Sequence, residues 1–167
     1  MDNILRGRLL PCTVVLLLLA STGFAQQLKF SGTYVLAGAS GDLRFDPKMK
    51  DHPILKVVQT TDDLQTVLIE KGGTETITLP LNGSEAAYTT LDGEAGRARV
   101  ETKNKQMRIR KVIQLKSYPN LPSSAIYAVE IWNLSKGGKT LKICGDSEVR
   151  GGIVQFRKSG CQIFERR

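Results

Sequence analysis

The sequence predicts an all-β fold, an antiparallel up-and-down meander that closes into a barrel or a strongly curled sheet. Short runs rich in Val, Ile, Thr and Tyr recur along the chain, with turn residues between them. After residue 25, no window of a dozen residues combines helical apolar spacing with a capping residue. Nine to eleven runs follow one another through short connections. We expect the sheet to close, because closure removes exposed strand edges.

Residues 1–25 have the pattern of an N-terminal signal peptide. Two arginines form a charged start, residues 13–20 (TVVLLLLA) form an apolar run, and residues 23–25 (GFA) are a small-x-small cleavage site. The apolar run is too short to remain as a membrane span. We therefore expect a secreted or periplasmic protein in which residues 26–167 form one β-barrel domain without a transmembrane span.

A basic hairpin at residues 96–116 (GRARVETKNKQMRIRKVIQLK) carries most of the net charge of +8. With a two-residue Asn-Lys turn in its middle, Val100 lies opposite Ile109 and Arg99 lies opposite Arg110. Side chains alternate between the faces of a strand, so this register predicts one apolar and one basic face.

The basic face of this hairpin is either a solvated sheet surface or a docking surface for an anionic surface, polymer or partner. The candidate anion-binding residues are Arg97, Arg99, Arg108 and Arg110. Stacking on nucleic-acid bases would need aromatic side chains among these cations, and the hairpin has none. No specific nucleic acid is therefore expected as a partner.

Two turns predict a three-stranded meander before the basic hairpin. An Asp62-Asp63 turn would set Val57 opposite Leu68, and a Gly-Gly turn at residues 72–73 would set Leu68 opposite Ile77. One face of this meander is then apolar. It collects Leu55, Val57, Leu68, Ile77, Leu79 and Leu81.

The second half of the chain predicts two more hairpins. A Gly-Gly turn at residues 137–138 sets Trp132 opposite Ile143, in an apolar ladder that carries the only tryptophan. A turn at Ser159-Gly160 would form the last hairpin. Residues 38–53 and 146–152 are expected to be loops.

Cys144 and Cys161 are the two cysteines that follow the signal peptide. In an exported protein an even pair suggests a disulfide. The sequence leaves two alternatives open, a bridge between them or two separate thiols.

Several short segments resemble the lipocalin-like small secreted β-barrel proteins of bacteria. They are residues 32–34 (GTY), where lipocalins have Gly-x-Trp, residues 130–143, and residues 164–166 (FER). The resemblance implies a barrel with a small apolar ligand in its mouth. The residues expected to line this ligand site are Tyr34, Leu68, Ile77, Val100, Ile109, Trp132 and Leu141.

A non-enzymatic binding module is accordingly the first functional hypothesis, and an envelope interaction or structural protein that uses the basic hairpin is the alternative. An enzyme is not expected. His52 is the only histidine, and the carboxylate pairs Asp62-Asp63 and Glu94 with Glu101 have no neighbouring aromatic side chains to bind a sugar. No cysteine pair has metal-ligand spacing, so neither a metal nor a cofactor is expected.

Overall fold

The computed structural model describes residues 29–43, 51–103, 106–116, 124–151 and 156–167. These residues form ten antiparallel strands, which confirms the all-β meander. The strands are β1 (Gly32–Gly41), β2 (Ile54–Gln59), β3 (Asp63–Glu70), β4 (Gly73–Pro80), β5 (Ala86–Thr89), β6 (Ala95–Lys103), β7 (Gln106–Gln114), β8 (Ala125–Leu134), β9 (Thr140–Arg150) and β10 (Phe156–Arg166).

All ten strands belong to one sheet, in the order β4-β3-β2-β1-β10-β9-β8-β7-β6-β5. Strands that are adjacent in the chain pair with each other, except β4 and β5, and β1 also pairs with β10. The two outer strands, β4 and β5, come within 8 Å of each other without a hydrogen-bonded ladder among the described residues. The sheet therefore curls into a nearly closed barrel.

An apolar core fills one end of the barrel interior. The Tyr34 hydroxyl donates a hydrogen bond to the Phe30 carbonyl oxygen at 2.8 Å, and the Phe30 ring meets the Trp132 ring edge to face at 6.3 Å between centroids. The buried members of this core are Phe30, Tyr34, Leu36, Leu55, Val57, Leu64, Ile77, Leu79, Ala98, Val100, Met107, Ile109, Trp132, Leu141, Ile143 and Phe164.

Two of the predicted registers are confirmed. In the basic hairpin Val100 pairs with Ile109 and Arg99 with Arg110, although its turn at residues 104–105 lies outside the described part of the chain. In the β8–β9 hairpin Trp132 pairs with Ile143. The four aliphatic side chains Val100, Ile109, Leu141 and Ile143 are buried in the core, as predicted.

The predicted registers of the β2–β3–β4 meander are wrong by two residues. Leu68 pairs with Leu55 and with Glu75, rather than with Val57 and Ile77. The Thr60 hydroxyl accepts hydrogen bonds from the backbone N–H groups two and three residues later, at 3.2 and 2.9 Å, and this starts the β2–β3 turn earlier than expected. A shift of two residues preserves side-chain direction, so the predicted inward face remains inward.

The predicted last hairpin at Ser159-Gly160 is also wrong. β9 continues to Arg150 through the expected loop, and β10 runs without interruption from Phe156 to Arg166. β1 likewise continues through Gly41, so the loop expected at residues 38–53 begins later. A Cβ on Gly160 would collide with the Ser40 carbonyl oxygen, so this glycine permits the close approach of β1 and is not a turn residue.

The predicted signal peptide, residues 1–25, lies outside the described residues. Within the described ranges, no helix has the length and apolar character needed to cross a membrane.

Candidate ligand-binding cavity

A cavity of about 300 Å³ occupies the barrel interior at the end opposite the core. The inward-facing side chains of β7, β8, β9 and β10 form the core at one end of these strands and line the cavity at the other end. The inward residues at the cavity end are Lys111, Ile113, Ile126, Ala128, Glu130, Gly145, Ser147, Lys158, Gly160 and Gln162, with Tyr88 from β5, Glu75 from β4 and Leu43 from beyond β1.

Small residues on the inner wall keep this space open. Ala128 pairs with Ser147 on neighbouring strands, and Gly145 pairs with Gly160. A Cβ on Gly145 would have its nearest heavy atom, a backbone oxygen, at 3.6 Å, so its backbone surroundings do not require glycine. Glycine at this position instead leaves volume next to Glu130, its partner on β8.

An ion pair lies in the wall of the cavity. Lys111 Nζ is 2.5 Å from Glu130 Oε1, and the two side chains are only 18% and 22% exposed. They occupy diagonal positions on β7 and β8, because Ile109 is the residue directly opposite Glu130. Trp132 Nε1 donates a hydrogen bond to the second carboxylate oxygen at 3.0 Å. Lys111 and Trp132 thus contact one carboxylate oxygen of Glu130 each, and both do so from inside the barrel.

This ion pair determines the protonation state of Lys111. Burial favours the neutral amine, but the charge of Glu130 and its hydrogen bond to the ammonium group outweigh burial and raise the pKa of Lys111 above its ordinary value. Lys111 is therefore a cation at neutral pH.

Tyr88 contributes a hydroxyl group to the same cavity. Its ring lies over Gly96, the residue opposite it on β6, where a Cβ would come within 2.5 Å of the ring. Its Oη is buried, and no hydrogen-bond partner for it occurs among the described residues. Burial raises the pKa of Tyr88 to about 12, with Lys111 lowering it and Glu75 and Glu130 raising it further. The hydroxyl is therefore an unused donor at neutral pH.

The residues expected to bind a ligand lie mainly in the core and do not line this cavity. Leu68 is partly buried against the core, and the other six expose between 0 and 4% of their surface. These six are Tyr34, Ile77, Val100, Ile109, Trp132 and Leu141. The cavity lies beyond these core residues, on the same inward faces of the strands.

The four arginines of the expected anion-binding face point outward, but carboxylates lie among them. Arg97 is 3.6 Å from Glu85, and both Arg99 and Arg110 are 3.5 Å from Glu101. Arg108, the fourth, is exposed. An outer groove of about 630 Å³ beside these strands is likewise lined by side chains of both charges. The outer face is therefore of mixed charge.

A disulfide joins Cys144 and Cys161, which face each other across β9 and β10 with their Cα atoms 4.0 Å apart. These residues immediately adjoin the Gly145–Gly160 pair of the cavity wall. The bridge therefore fixes the two strands to each other at the part of the wall that has no side chains.

The residues considered for catalysis are spread over separate sites. His52 Nδ1 lies 2.9 Å from the Leu36 carbonyl oxygen, and Asp62 is exposed in the β2–β3 turn. Within the described part of the chain, no group of three or more His, Cys, Asp or Glu residues is placed to hold a metal ion.

Solved structures identify the architecture. The zebrafish ileal bile acid-binding protein in complex with cholic acid matches 83% of this chain and 98% of its own, with a TM-score of 0.53 and 15% identity. The chain has the fold of the fatty-acid-binding proteins. The fatty-acid-binding protein 1 of Echinococcus granulosus gives a TM-score of 0.52 at 14% identity, over 82% of this chain and 96% of that one.

A third such protein, the Schistosoma mansoni fatty-acid-binding protein in complex with arachidonic acid, gives a TM-score of 0.52 at 16% identity, over 83% and 96% of the two chains. No known family profile and no curated protein sequence matches the chain. The barrel architecture that the lipocalin resemblance implied is thus confirmed.

Proposed function

We propose that this protein is a non-enzymatic binding module that holds a small apolar ligand in the cavity around Tyr88, Lys111 and Glu130. The observation that carries the proposal is the cavity itself. An interior space of about 300 Å³ with aliphatic walls and a few convergent polar groups is the usual form of a small-molecule site. Proteins of the same fold that were solved with cholic acid or arachidonic acid support this type of ligand.

The walls and the polar groups of the cavity have different roles in this proposal. Ile113 and Ile126 face each other across β7 and β8 and, with Leu43 and Ile143, contact the apolar body of the ligand. Removing apolar surface from water supplies most of the affinity, at about 25 cal/mol per Å² before the cost of immobilising the ligand. The polar groups near Tyr88 fix its orientation.

We also propose that the protein acts after export, since residues 1–25 have the signal-peptide pattern. Expression of the full chain with a C-terminal tag, followed by intact-mass measurement of the recovered protein, tests this. Cleavage after Ala25 is the expected result, and recovery of the uncleaved chain from the cytoplasm would contradict it.

Filling the cavity tests the binding proposal. In Gly145→Leu a side chain would project from the inner wall beside Glu130 into the ligand volume. Gly38→Leu is the matched control, because Gly38 is also in a strand and a Cβ added there would have no heavy atom within 4 Å. Titration of the purified proteins with long-chain alcohols, fatty acids and bile acids, followed by calorimetry and Trp132 fluorescence, measures the effect.

We expect at least a tenfold loss of affinity in Gly145→Leu and no change in Gly38→Leu, with the far-ultraviolet circular dichroism of both variants unchanged. Equal binding by wild type and a folded Gly145→Leu variant would place the ligand elsewhere. A wild-type protein that binds none of these compounds would refute the proposed function.

A further inference from the structure

The charges around the cavity point to a more specific ligand class, in an inference that rests on the proposed function. We propose that the cavity selects uncharged amphiphiles, with an alcohol or ester head group that accepts a hydrogen bond from Tyr88, over amphiphiles with a free carboxylate. Three observations carry this proposal: the engagement of Lys111, the balance of the remaining charges and the unused hydroxyl of Tyr88.

The buried cation is already engaged. Lys111 Nζ lies 2.5 Å from Glu130 Oε1, and Glu130 Oε2 accepts the Trp132 indole N–H. A carboxylate ligand that took Lys111 as its partner would leave Glu130 as a second anion in the same small space. Two carboxylates that share one cation repel each other, and a buried anion without a full partner is strongly unfavourable.

The other charged groups of the lining do not compensate for this. Glu75 adds a negative charge close enough to Tyr88 to raise its pKa. Asp146 is a further anion and lies 3.4 Å from Arg157. Lys158 is exposed and lies over the Phe156 ring, with Nζ 4.9 Å from the ring centroid. Because Arg157 offsets Asp146, the remaining charges of the lining are two cations, Lys111 and Lys158, against two anions, Glu75 and Glu130, and this balance offers no excess positive charge to an anionic head group.

Tyr88 supplies the complementary feature. Its buried Oη lacks a hydrogen-bond partner among the described residues and lines the cavity. A buried donor without a partner is unfavourable, and an acceptor on the ligand would relieve this cost. An ester carbonyl or an alcohol oxygen can accept this hydrogen bond without bringing a charge next to Glu75 and Glu130.

The test compares three probes built on the same twelve-carbon skeleton: dodecanol, methyl laurate and laurate. Calorimetric titration at neutral pH should show that wild-type protein binds dodecanol or methyl laurate at least tenfold more tightly than laurate. Tyr88→Phe should weaken the alcohol and the ester about five- to tenfold and leave laurate unchanged, because only the uncharged probes use its hydroxyl.

Glu130→Gln is the decisive variant. It keeps the shape of the side chain and an acceptor for Trp132, but it frees Lys111 to pair with an incoming anion. Laurate affinity should rise at least tenfold in this variant. Glu101→Gln is the matched control, because Glu101 also forms ion pairs but lies on the outer face, and the affinities of this variant should equal those of wild type.

The results separate this inference from the proposed function. Tighter binding of laurate than of dodecanol by wild type, or no gain for laurate in folded Glu130→Gln, would overturn the head-group selection and leave the binding function intact. If Glu130→Gln does not fold, Tyr88→Phe decides the question. An equal loss of affinity for all three probes in that variant would overturn the head-group selection. Absence of binding of every probe to wild type would overturn both.

Discussion

Breaking the Lys111–Glu130 pair should destabilise the protein much more than removing both of its members. The two side chains are about four-fifths buried, and both Glu130 oxygens are occupied. Removing one partner of such a pair typically costs 3–5 kcal/mol, because the remaining charge is left in a poorly solvated site. The remaining group can limit this cost by becoming neutral, which at pH 7 requires about 4 kcal/mol for an ordinary Glu and about 5 kcal/mol for an ordinary Lys.

Since the cavity is open to solvent at one end, we expect the lower part of this range. Lys111→Met should lower the free energy of unfolding by about 3 kcal/mol. Glu130→Leu should lower it by about 4 kcal/mol, because this variant also removes the acceptor of the Trp132 N–H. The double variant should lie within about 1 kcal/mol of wild type, because a buried ion pair that is replaced by apolar side chains is often neutral for stability.

Urea unfolding followed by circular dichroism measures all four proteins of this double-mutant cycle. The pair Arg97–Glu85, with side chains 74% and 50% exposed, is the matched control and should show a coupling energy of at most about 1 kcal/mol. Single variants of Lys111 and Glu130 that each cost less than 1 kcal/mol, with additive effects in the double variant, would refute the inward orientation of both groups.

Three further predictions test the wall and the interior of the barrel. Replacing Cys144 and Cys161 by Ser should lower the free energy of unfolding in urea by about 3 kcal/mol, from the 17-residue separation that the bridge closes, and a reducing agent should then have no further effect. Gly160→Ala should lower the thermal midpoint clearly, at a cost in stability of about 2 kcal/mol or more, because its Cβ would collide with the neighbouring backbone. Gly145→Ala is the control and should unfold near the wild-type temperature. Equal effects of the two substitutions would contradict the close approach of β1. Burial raises the pKa of Tyr88 above its unfolded value of 10.0 to about 12. The stabilisation from its neutral hydroxyl is therefore complete below pH 10 and is lost as the pH rises toward 12. Over this interval the urea midpoint of Tyr88→Phe should fall less than that of wild type.

The predicted registers were correct where the chain turns at the predicted residues. Alternation alone fixes which face a residue occupies, but it allows any shift by two residues. At the basic hairpin the turn removed this ambiguity, and Val100 was placed opposite Ile109. Between β2 and β3 it did not, because the Thr60 hydroxyl forms a turn that starts earlier than the aspartate pair suggests.

The polar part of the cavity could be predicted only in part. Lys111 has the same parity as Ile109, and Glu130 the same parity as Trp132, so extending the alternation places both charges inside. Their contact depends on how β7 and β8 pair, and residues 115–124, which connect these strands, contain no tight-turn pattern that sets the register. Gly160 was misassigned for a different reason, since glycine serves both turns and close backbone contacts.

The pairing of β1 with β10 has a consequence for folding. Arg166 donates a hydrogen bond to the carbonyl oxygen of Ser31, 135 positions earlier, whereas the other ladders of the described sheet join strands that are neighbours in sequence. Barrel completion is thus a step of high contact order that requires β10, and non-local β proteins typically fold in milliseconds to seconds. Until then β1 and β9 present unpaired edges, so a ribosome-released chain truncated before β10 should aggregate through them.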